Sequence, residues 1–538
     1  MSGVGRSSRR PALPPLGRIE RSYTRPVVAK TTLTGEDLTA EDVWAVGLER
    51  RPVSLSDAAR EKMAAARKLV ERAAHGVSEH TYGINTGFGR FVSRSIPPEL
   101  TAELQLRLLR SHACGVGEPY PDEVVRAAML LRANALAKGC SGARVETVEL
   151  LIDLLNRGVL PRVPSRGSVG ASGDLAPLAH LALPLVGEGE AWVDGKLLPG
   201  AEALAAVGLA PVRLEAKEGL SLVNGTQFMA AVGALGLVRA RRVLKVADFA
   251  CALSLEALQG SRMSFDPRVH ELRPLRGQAA SAANVLRLLE GSAINEAHRW
   301  CDKVQDAYSL RCAPQVHGAA RDLLDYVAYT VETELNSATD NPLVLVEDEL
   351  LVSNGNFHGQ SLGFALDALA MAVSELASIS ERRLERLVNP NLSDGLPAFL
   401  TSDGGLNSGF MIPQYVAASL VSENKVLCHP ASVDSIPTSA GQEDHVAMGN
   451  ASALKAWQVL ANTEHALAIE LLAGAQAVEF LAPLQPGRGA RATRDFVRSL
   501  SPRLEDDRSL AADIEGVAEA VRDGSAVRAV EDRVGELR

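Results

Sequence analysis

Apolar residues recur at spacings of three and four along most of the chain, which is the period of an amphipathic α-helix. In the first part of the chain this pattern predicts helices over residues 37–49, 56–76, 99–117, 122–139 and 143–158. Asp37 and Ser56 stand where the first two would begin, as capping residues do, and glycines follow the later ones. The pattern therefore predicts a mainly α protein.

Two later segments, residues 227–260 and 451–482, keep the helical period for more than 30 residues each. Most helices in globular proteins run 8 to 20 residues, so helices of this length need neighbours along their whole span. We therefore expect a long-helix bundle, which several subunits could share. Two segments outside these helices predict β-hairpins, residues 190–200, with Asp194-Gly195 as the two-residue turn, and residues 342–356. Everything else after residue 190 is predicted to be helical.

Breaks in the period suggest how the chain is divided. Residues 1–25 are rich in Arg, Ser, Gly and Pro and show no period, which predicts a flexible tail. The stretch "AKGCSG" interrupts the helical pattern near residue 140, so we expect an N-terminal domain over residues 26–140 and a helical-bundle domain over residues 141–538. Residues 80–91, "HTYGINTGFGRF", contain three glycines and predict a loop in the first domain.

Composition narrows the function classes. Hydrophobic residues make up 46% of the chain and aromatic residues only 4%, which suits closely packed helices better than a β-sandwich. The formal net charge of -9 disfavours a nucleic-acid binder, because phosphate contacts need a concentrated basic face. The absence of a long uninterrupted apolar run or an apolar leader segment predicts a soluble, cytoplasmic protein rather than one in a membrane.

The cysteines and histidines do not suggest a metal site. Six cysteines lie far apart with no C-x-x-C pair, so we expect free buried thiols in a reducing compartment. No H-x-x-x-H or comparable ligand spacing occurs. We therefore expect neither a metal nor a dissociable cofactor.

Residues 166–174, "RGSVGASGD", present an unusually bare backbone, with Gly167, Gly170 and Gly173 spaced three apart. A phosphate cradle would use such glycines, but the GK[ST] ending is missing and Asp174 brings a negative charge to the place of the phosphate. A hydrolase nucleophile elbow needs G-x-S-x-G, and Asp174 replaces its second glycine. A simple glycine turn before a helix remains an open alternative.

A reaction of the backbone with itself would also use these residues. If a tight turn pressed the amide nitrogen of Asp174 against the carbonyl of Ala171, a five-membered ring could close, because the small side chains leave the approach open. Loss of water from the ring and from Ser172 would leave an exocyclic C=CH2 group. Such a group is a strong electrophile, which no standard side chain provides.

The stretch "GSVGASGDLAPLAH" resembles the signature of the aromatic amino-acid ammonia-lyases and aminomutases, whose Ala-Ser-Gly becomes 4-methylidene-imidazol-5-one (MIO). Further family motifs follow in order, namely "YGINTGFG", "SHACGVG", "KEGLSLVNGTQ", "VQDAYSLRC", "ATDNP", "NGNFHG" and "SIPTSAGQEDHVAMG". The resemblance covers nearly the whole chain outside the N-terminal tail, and the histidine-specific members are the most similar. It implies a lyase that converts L-histidine to trans-urocanate and ammonia.

The resemblance also implies roles for single residues. Tyr82, in a mobile lid loop, would take the β-proton as a phenolate. Arg311 would hold the substrate carboxylate through two parallel hydrogen bonds. Ala171, Ser172 and Gly173 would form the MIO. Residues that would line the prosthetic group and the reacting centre are Asn224, Gln305, Tyr308 and Phe357, of which the first three would donate hydrogen bonds to the MIO oxygen.

Substrate choice is expected to depend on Ser111, His112 and Glu443. In these lyases a residue pair faces the substrate ring, and it is apolar or aromatic in phenylalanine enzymes, His-Leu-like in tyrosine enzymes and Ser-His in histidine enzymes. An imidazole ring has one donor and one acceptor, so it needs polar partners. His112 would hydrogen-bond one ring nitrogen. Glu443 would accept a hydrogen bond from, or balance charge on, the other end of the site. Alternatively, His112 caps a helix and Glu443 pairs with an arginine.

Two departures from the family pattern lie beside the expected site. Gly441 stands where these lyases commonly have Asn, and "HGQS" replaces the "HGEP" frequent in histidine-specific members. A tyrosine or phenylalanine ammonia-lyase, or an aminomutase, is therefore the nearest rival, and a non-catalytic helical scaffold is a more distant one. The family implies a homotetramer in which several subunits build each active site.

Overall fold

The computed structural model describes residues 30–75, 81–299 and 303–538. The predicted tail, residues 1–25, lies outside these ranges. Across the described residues one large hydrophobic core contains residues from both sides of position 140, such as Leu130 and Leu235. The domain boundary near residue 140 therefore stays a prediction.

Three long helices form the centre of the bundle, namely α9 (Gln227–Ala257), α15 (Gln360–Val388) and α17 (Gly449–Glu479). They contain 31, 29 and 31 residues, so the prediction of unusually long helices is confirmed. Each packs against the other two, and α14 (Ala313–Glu334) lies against α9 and α15. Because neighbours surround these helices, apolar residues cover most of their circumference rather than one stripe.

Shorter helices surround this centre. Those before α9 are α1 (Ala40–Gly47), α2 (Asp57–His75), α3 (Thr101–His112), α4 (Asp122–Ala137), α5 (Val145–Asn156), α6 (Leu175–Ala182), α7 (Gly200–Ala206) and α8 (Glu218–Val223). Those after it are α10 (Pro267–Glu271), α11 (Arg276–Leu288), α12 (Ala293–Ala297), α13 (Tyr308–Arg311), α16 (Met411–Leu427), α18 (Arg488–Leu500), α19 (Ala511–Arg522) and α20 (Ser525–Val534). The prediction of a mainly helical protein is confirmed. The expectation that everything after residue 190 outside the hairpins is helical is wrong, because residues 389–410 and 428–448 are mostly loops.

The caps of the first two helices correct one prediction and confirm another. Helix α1 begins after Thr39 rather than Asp37, because the Thr39 hydroxyl accepts from the backbone of Asp42 and the Asp42 carboxylate accepts in return. Ser56 caps α2 as expected, since its Oγ accepts from the Ala59 N–H at 3.1 Å.

The strands are short and only partly predicted. Both expected hairpins are present, β6 (Glu190–Val193) with β7 (Lys196–Pro199) and β8 (Leu343–Leu345) with β9 (Leu350–Val352). The strands that the helical period did not reveal are β1 (Thr31–Leu33), β2 (Val53–Leu55), β3 (Val116–Pro119), β4 (Leu160–Pro161) and β5 (Pro164–Arg166). β1 pairs with β2 in parallel, β3 pairs with β5, and β4 extends the first hairpin. Segments of two to four residues are too short to show an alternating pattern.

The structure tests the prediction that the cysteine thiols are free and buried. All described cysteines are free, but only Cys251 among them is buried, so the prediction of buried thiols is wrong for Cys114, Cys140, Cys312 and Cys428.

Helix α15 is long and apolar enough to span a membrane, but 72% of its most apolar stretch is buried inside the protein. This burial matches its position between α9, α14 and α17.

A buried pair of ionic contacts fixes the start of α8, the helix that leads into the site. Lys217 adopts a left-handed backbone (φ +68°), and its fully buried ammonium donates to Asp340 at 2.8 Å. Glu218, also buried, accepts from Arg144 at 2.6 Å and from the Thr147 hydroxyl at 2.6 Å. Because losing one partner would leave a buried charge unpaired, these contacts hold α8 in one place.

Candidate active site

The glycine-rich stretch is bare because another backbone segment lies directly against it. Gly173 has a left-handed backbone (φ +72°) and pairs in parallel with Gly225. A Cβ atom on Gly173 would stand 2.0 Å from the Gly225 carbonyl oxygen, which no side chain could tolerate. The junction between α8 and α9 therefore presses on the triplet Ala171-Ser172-Gly173.

Asp174 anchors the triplet to the start of α9. Its backbone N–H donates to Gly225 O at 2.7 Å, and its buried carboxylate accepts from the backbone N–H groups of Phe228 and Met229, each at 3.0 Å. Burial raises the pKa of this carboxyl to about 6, although these N–H groups and the Ser168 hydroxyl lower it. A carboxylate therefore occupies the N-terminus of α9, where the helix dipole favours a negative charge.

The expected attacking nitrogen needs a correction. A ring that starts at the Ala171 carbonyl carbon and passes through the N, Cα and C atoms of Ser172 has five members only when Gly173 N closes it. Asp174 N would make an eight-membered ring, and this N–H is already engaged with Gly225 O. The nitrogen suited to cyclisation is therefore that of Gly173.

Ser172 points its side chain into a cavity and its carbonyl towards a donor. The Asn224 amide Nδ2 donates to Ser172 O at 2.8 Å. The Ser172 hydroxyl donates to Glu443 Oε1 at 3.1 Å, a carboxylate rather than the imidazole that a nucleophile elbow would need. The cavity has a volume of about 800 Å³, and its wall includes Tyr82, Phe88, Ser111, His112, Ser172, Leu175, Leu220, Asn224 and Glu443.

Tyr82 lies in the predicted loop, whose described part contains one short 3-10 helix (Gly89–Phe91). The Gly89 N–H donates to the Tyr82 hydroxyl at 3.5 Å, and the Tyr82 ring meets the Phe88 ring edge to face at 6.2 Å. Burial raises the pKa of the Tyr82 phenol, the Gly89 N–H lowers it, and the Glu443 carboxylate raises it. Tyr82 is therefore a phenol that would be a strong base once deprotonated.

Ser111 and His112 end helix α3 on the same cavity. Ser111 Oγ lies 3.0 Å from Leu108 O and 2.9 Å from His112 Nδ1. Burial lowers the pKa of the His112 imidazole, while the Leu108 backbone and the Glu443 carboxylate raise it. The imidazole is accordingly neutral at neutral pH, with Nδ1 held by Ser111.

Glu443 is held by a tight left-handed turn rather than by an arginine. The Thr438 hydroxyl donates to Glu443 Oε2 at 2.8 Å, and the backbones of these two residues pair across the turn. Ser439, Ala440 and Gly441 between them all have positive φ values. Glycine and asparagine are the residues that best tolerate this conformation, so Gly441 in place of the family's Asn keeps the turn.

The other predicted residues do not reach this cavity. Tyr308 begins α13 with 70% of its surface exposed, and the Arg311 guanidinium stacks 4.6 Å from the Tyr308 ring centre while its Nε donates to Asp306 O at 3.0 Å. Gln305 is exposed nearby, and Phe357 is half-buried in the turn before α15. None of the four lines the cavity.

Several residues at the site were not predicted from the sequence. Asp174 and Thr438 stand inside recognised motifs, so their positions were visible but their roles were not. The apolar wall formed by Phe88, Leu175 and Leu220 also belongs to those motifs. Arg132, which contacts Asn224, stands in none of them, and a single arginine within a helical pattern gives no signal of burial.

The family described as "Aromatic amino acid lyase" matches residues 38–499. The chain belongs to this family. The lyase is 57% identical to a histidine ammonia-lyase of Gloeobacter violaceus (strain ATCC 29082 / PCC 7421), over 94% of this chain and 98% of the relative. The family expected from the motifs is confirmed, and the protein is a carbon–nitrogen lyase.

Solved structures agree on the fold and differ in the named activity. The crystal structure of histidine ammonia-lyase from Trypanosoma cruzi is 46% identical, with a TM-score of 0.87 over 94% of this lyase and 96% of that chain. Tyrosine aminomutase from Streptomyces globisporus is 38% identical, with a TM-score of 0.89 over 95% and 100%. Since the two scores are nearly equal, the fold alone does not select the substrate.

Proposed function

We propose that this lyase removes ammonia from L-histidine without oxidation and releases trans-urocanate, using MIO formed from Ala171, Ser172 and Gly173. The observation that carries the proposal is that Ser172 shares one cavity with Ser111, His112 and Glu443. The 57% identical relative named histidine ammonia-lyase supports the same substrate.

The described residues fit this prosthetic group. Gly225 fills the space behind Gly173, and Asn224 donates to the Ser172 oxygen that would become the ring carbonyl. In the ring closure Gly173 N bonds to the Ala171 carbonyl carbon, whose oxygen leaves as water with the amide hydrogens of Ser172 and Gly173. The Ser172 hydroxyl then leaves with the Cα hydrogen as a second water, so no oxidant or reductant is needed.

The group supplies an electrophilic carbon that takes up the substrate's amino group and makes it a better leaving group. Protein side chains do the remaining work. The Tyr82 phenolate would remove the β-proton, and general bases of this kind contribute ~10²–10⁴-fold to rate. The Asn224 amide, 2.8 Å from the Ser172 oxygen, would stabilise negative charge there.

Glu443 and His112 would recognise the imidazole ring of the substrate. Glu443 Oε1 accepts from the Ser172 hydroxyl, and dehydration of Ser172 removes this donor, so Oε1 becomes free to accept an imidazole N–H. Ser111 holds Nδ1 of His112, which leaves Nε2 for the other ring nitrogen. A phenyl ring would leave both groups without partners, at a cost of about 1–3 kcal/mol for each hydrogen bond left unmade.

We further propose a cytoplasmic homotetramer in which another subunit supplies Gln305, Tyr308, Arg311 and Phe357 to each cavity. Tyr308 is 70% exposed, the partly exposed Arg311 stacks on it, and neither lines the cavity of its own chain, which favours a role in the cavity of a neighbouring copy. Large exposed apolar side chains on α14, α15 and α16 suit burial between subunits, and they include Tyr326, Tyr329, Phe364, Met371, Ile412 and Tyr415.

Intact mass and a three-substrate assay test the proposed function. The wild-type protein should weigh two waters less than the encoded chain, and it should release ammonia from L-histidine with an ultraviolet band from the new conjugated double bond. L-tyrosine and L-phenylalanine should react far more slowly. An unmodified mass would overturn MIO formation, whereas preference for tyrosine or phenylalanine would overturn only the substrate. Return of the ammonia to the β-carbon would indicate an aminomutase.

A further inference from the structure

Arg132, in the middle of α4, lies behind the Asn224-Gly225 turn and has no exposed surface. Its Nη1 donates to the main-chain oxygen of Asn224 at 2.7 Å and to Gln227 Oε1 at 3.1 Å. Its Nε and Nη2 are also buried and have no hydrogen-bond partner among the described residues. A single nitrogen of the guanidinium therefore makes all of its polar contacts.

The charge of Arg132 is not neutralised by a neighbour. Within the described residues it forms no ion pair, and the Asp340 carboxylate that acts on it is bonded to Lys217 at 2.8 Å. Burial lowers the pKa of the guanidinium to about 10, and Asp340 opposes this shift, so the group stays charged at neutral pH. A buried, unpaired cation costs folding free energy, which makes a purely structural use of arginine here inefficient.

The turn that Arg132 contacts is compressed from both sides. A Cβ atom on Gly225 would stand 2.7 Å from Arg132 Nη1, and one on Gly173 would stand 2.0 Å from Gly225 O. The guanidinium, Gly225 and Gly173 thus form a stack without spare space. A change at Arg132 would pass directly to the triplet, because close-packed interiors transmit displacements.

The Asn224 side chain depends on the same turn. Its Nδ2 donates to Ser172 O at 2.8 Å, but its Oδ1 is buried with no partner among the described residues. Among the described residues, the Asn224 amide is therefore held only by its bond to Ser172 O and by the main chain of Asn224, whose carbonyl oxygen accepts from Arg132.

We propose that Arg132 is a positioning residue for MIO formation. Its guanidinium holds the Asn224-Gly225 turn so that Gly173 N stays against the Ala171 carbonyl carbon and the Asn224 amide stays on the Ser172 carbonyl. The inference rests on the proposed function, because it concerns the ring closure described there. The measurable consequence is the fraction of folded chains that lose two waters.

The same helix provides a matched control in Arg126. This arginine is also buried, and it donates to two main-chain oxygens, Val46 O at 3.1 Å and Leu155 O at 3.2 Å. Neither Val46 nor Leu155 touches the triplet or lines the cavity. Arg126→Met therefore reproduces the loss of a buried arginine from α4 without disturbing the Asn224-Gly225 turn.

The experiment compares Arg132→Met, Arg132→Lys and Arg126→Met with the wild type, all purified as the soluble assembled protein. Intact mass gives the fraction of chains that have lost two waters, and thermal unfolding gives stability. We expect at least a tenfold smaller fraction in Arg132→Met, partial recovery in Arg132→Lys, whose ammonium can still donate to Asn224 O, and a wild-type fraction in Arg126→Met even if its Tm falls.

Two results would overturn the inference while leaving the proposed function intact. One is an Arg132→Met protein with a wild-type matured fraction and unchanged kcat/KM. The other applies if Arg132→Met does not fold, and it is an Arg132→Gln protein, whose amide ends two bonds short of the Nη1 position that contacts Asn224 O, that matures and turns over like the wild type. An unmodified mass in the wild type would instead overturn the proposed function, and the inference would fall with it.

Discussion

The cavity around Ser172 and the segment that carries Tyr308 and Arg311 differ in how much of the chain supports them. Around the cavity, α3, α8 and the loops before α6 and α17 converge. The buried Asn224-Gly225 turn packs against the triplet on the side away from the cavity. The segment consists of a loop and the four residues of α13. Tyr308 at its start is 70% exposed, and its contact with Arg311 is local.

This difference separates two chemical tasks. The proposed ring closure of the triplet would need tight constraint of one backbone, and the contacts that constrain it come from a single chain. Binding of a substrate carboxylate needs a guanidinium that faces the cavity, and in a single chain Arg311 does not face it. In the proposed assembly, Arg311 of a neighbouring subunit would bind the substrate carboxylate in the cavity around Ser172. Mutations in the two regions should therefore have different effects.

The largest expected effect comes from Ser172→Ala, which removes the hydroxyl that would leave as water. Deamination should fall below detection while the fold is retained, because the one hydrogen bond of the serine hydroxyl to the described residues is to Glu443. Intact mass should equal the encoded mass, and circular dichroism should match the wild type. Residual activity at more than a small fraction of wild type would contradict the role of the triplet.

A mixing test addresses the comparison directly. Ser172→Ala and Arg311→Gln chains, co-expressed with different tags and purified through both, should regain activity that neither variant has alone. Some cavities would then combine an intact triplet with an intact arginine from another subunit. Ser172→Ala mixed with Tyr82→Phe should gain no activity over Tyr82→Phe alone, because both residues line the cavity of one chain. Equal behaviour of the two mixtures would argue against shared sites.

Tyr82→Phe should reduce kcat by ~10²–10⁴-fold, the usual contribution of a general base, with the two-water mass loss unchanged. The pH dependence of kcat/KM gives a second test of this role. Burial, and to a lesser degree Glu443, raise the pKa of Tyr82, so the active phenolate forms only as pH rises, and wild-type kcat/KM should increase into the alkaline range. In Tyr82→Phe that increase should disappear. If it persists, another group is the base.

The smallest expected effect concerns substrate choice. The double variant Ser111→Phe with His112→Leu should lower kcat/KM for histidine by about 10–100-fold, since each lost hydrogen bond to a buried polar group is worth about 1–3 kcal/mol. Some phenylalanine turnover should appear, and the matured fraction should not change. Unaltered histidine turnover would show that the pair does not face the ring.

The sequence determined the helical architecture and the candidate chemistry. Apolar spacing marked α9 and α17 because a helix repeats every 3.6 residues over dozens of positions, and Asp194-Gly195 marked its hairpin because both residues adopt positive φ at low cost. Motifs marked the triplet, Tyr82 and Glu443. The pattern did not reveal β1 and β2, whose pairing joins positions about 20 residues apart through three residues each.

The tertiary structure alone decided which of these residues meet. Gly173 had to be glycine because Gly225, distant along the chain, lies 2.0 Å from where its Cβ would be, and no local pattern encodes such an approach. Arg132 looked like any charged residue on a helix until packing buried it behind Asn224. Contacts of this kind depend on how separate segments close-pack, and hydrophobic periodicity specifies only that they are buried.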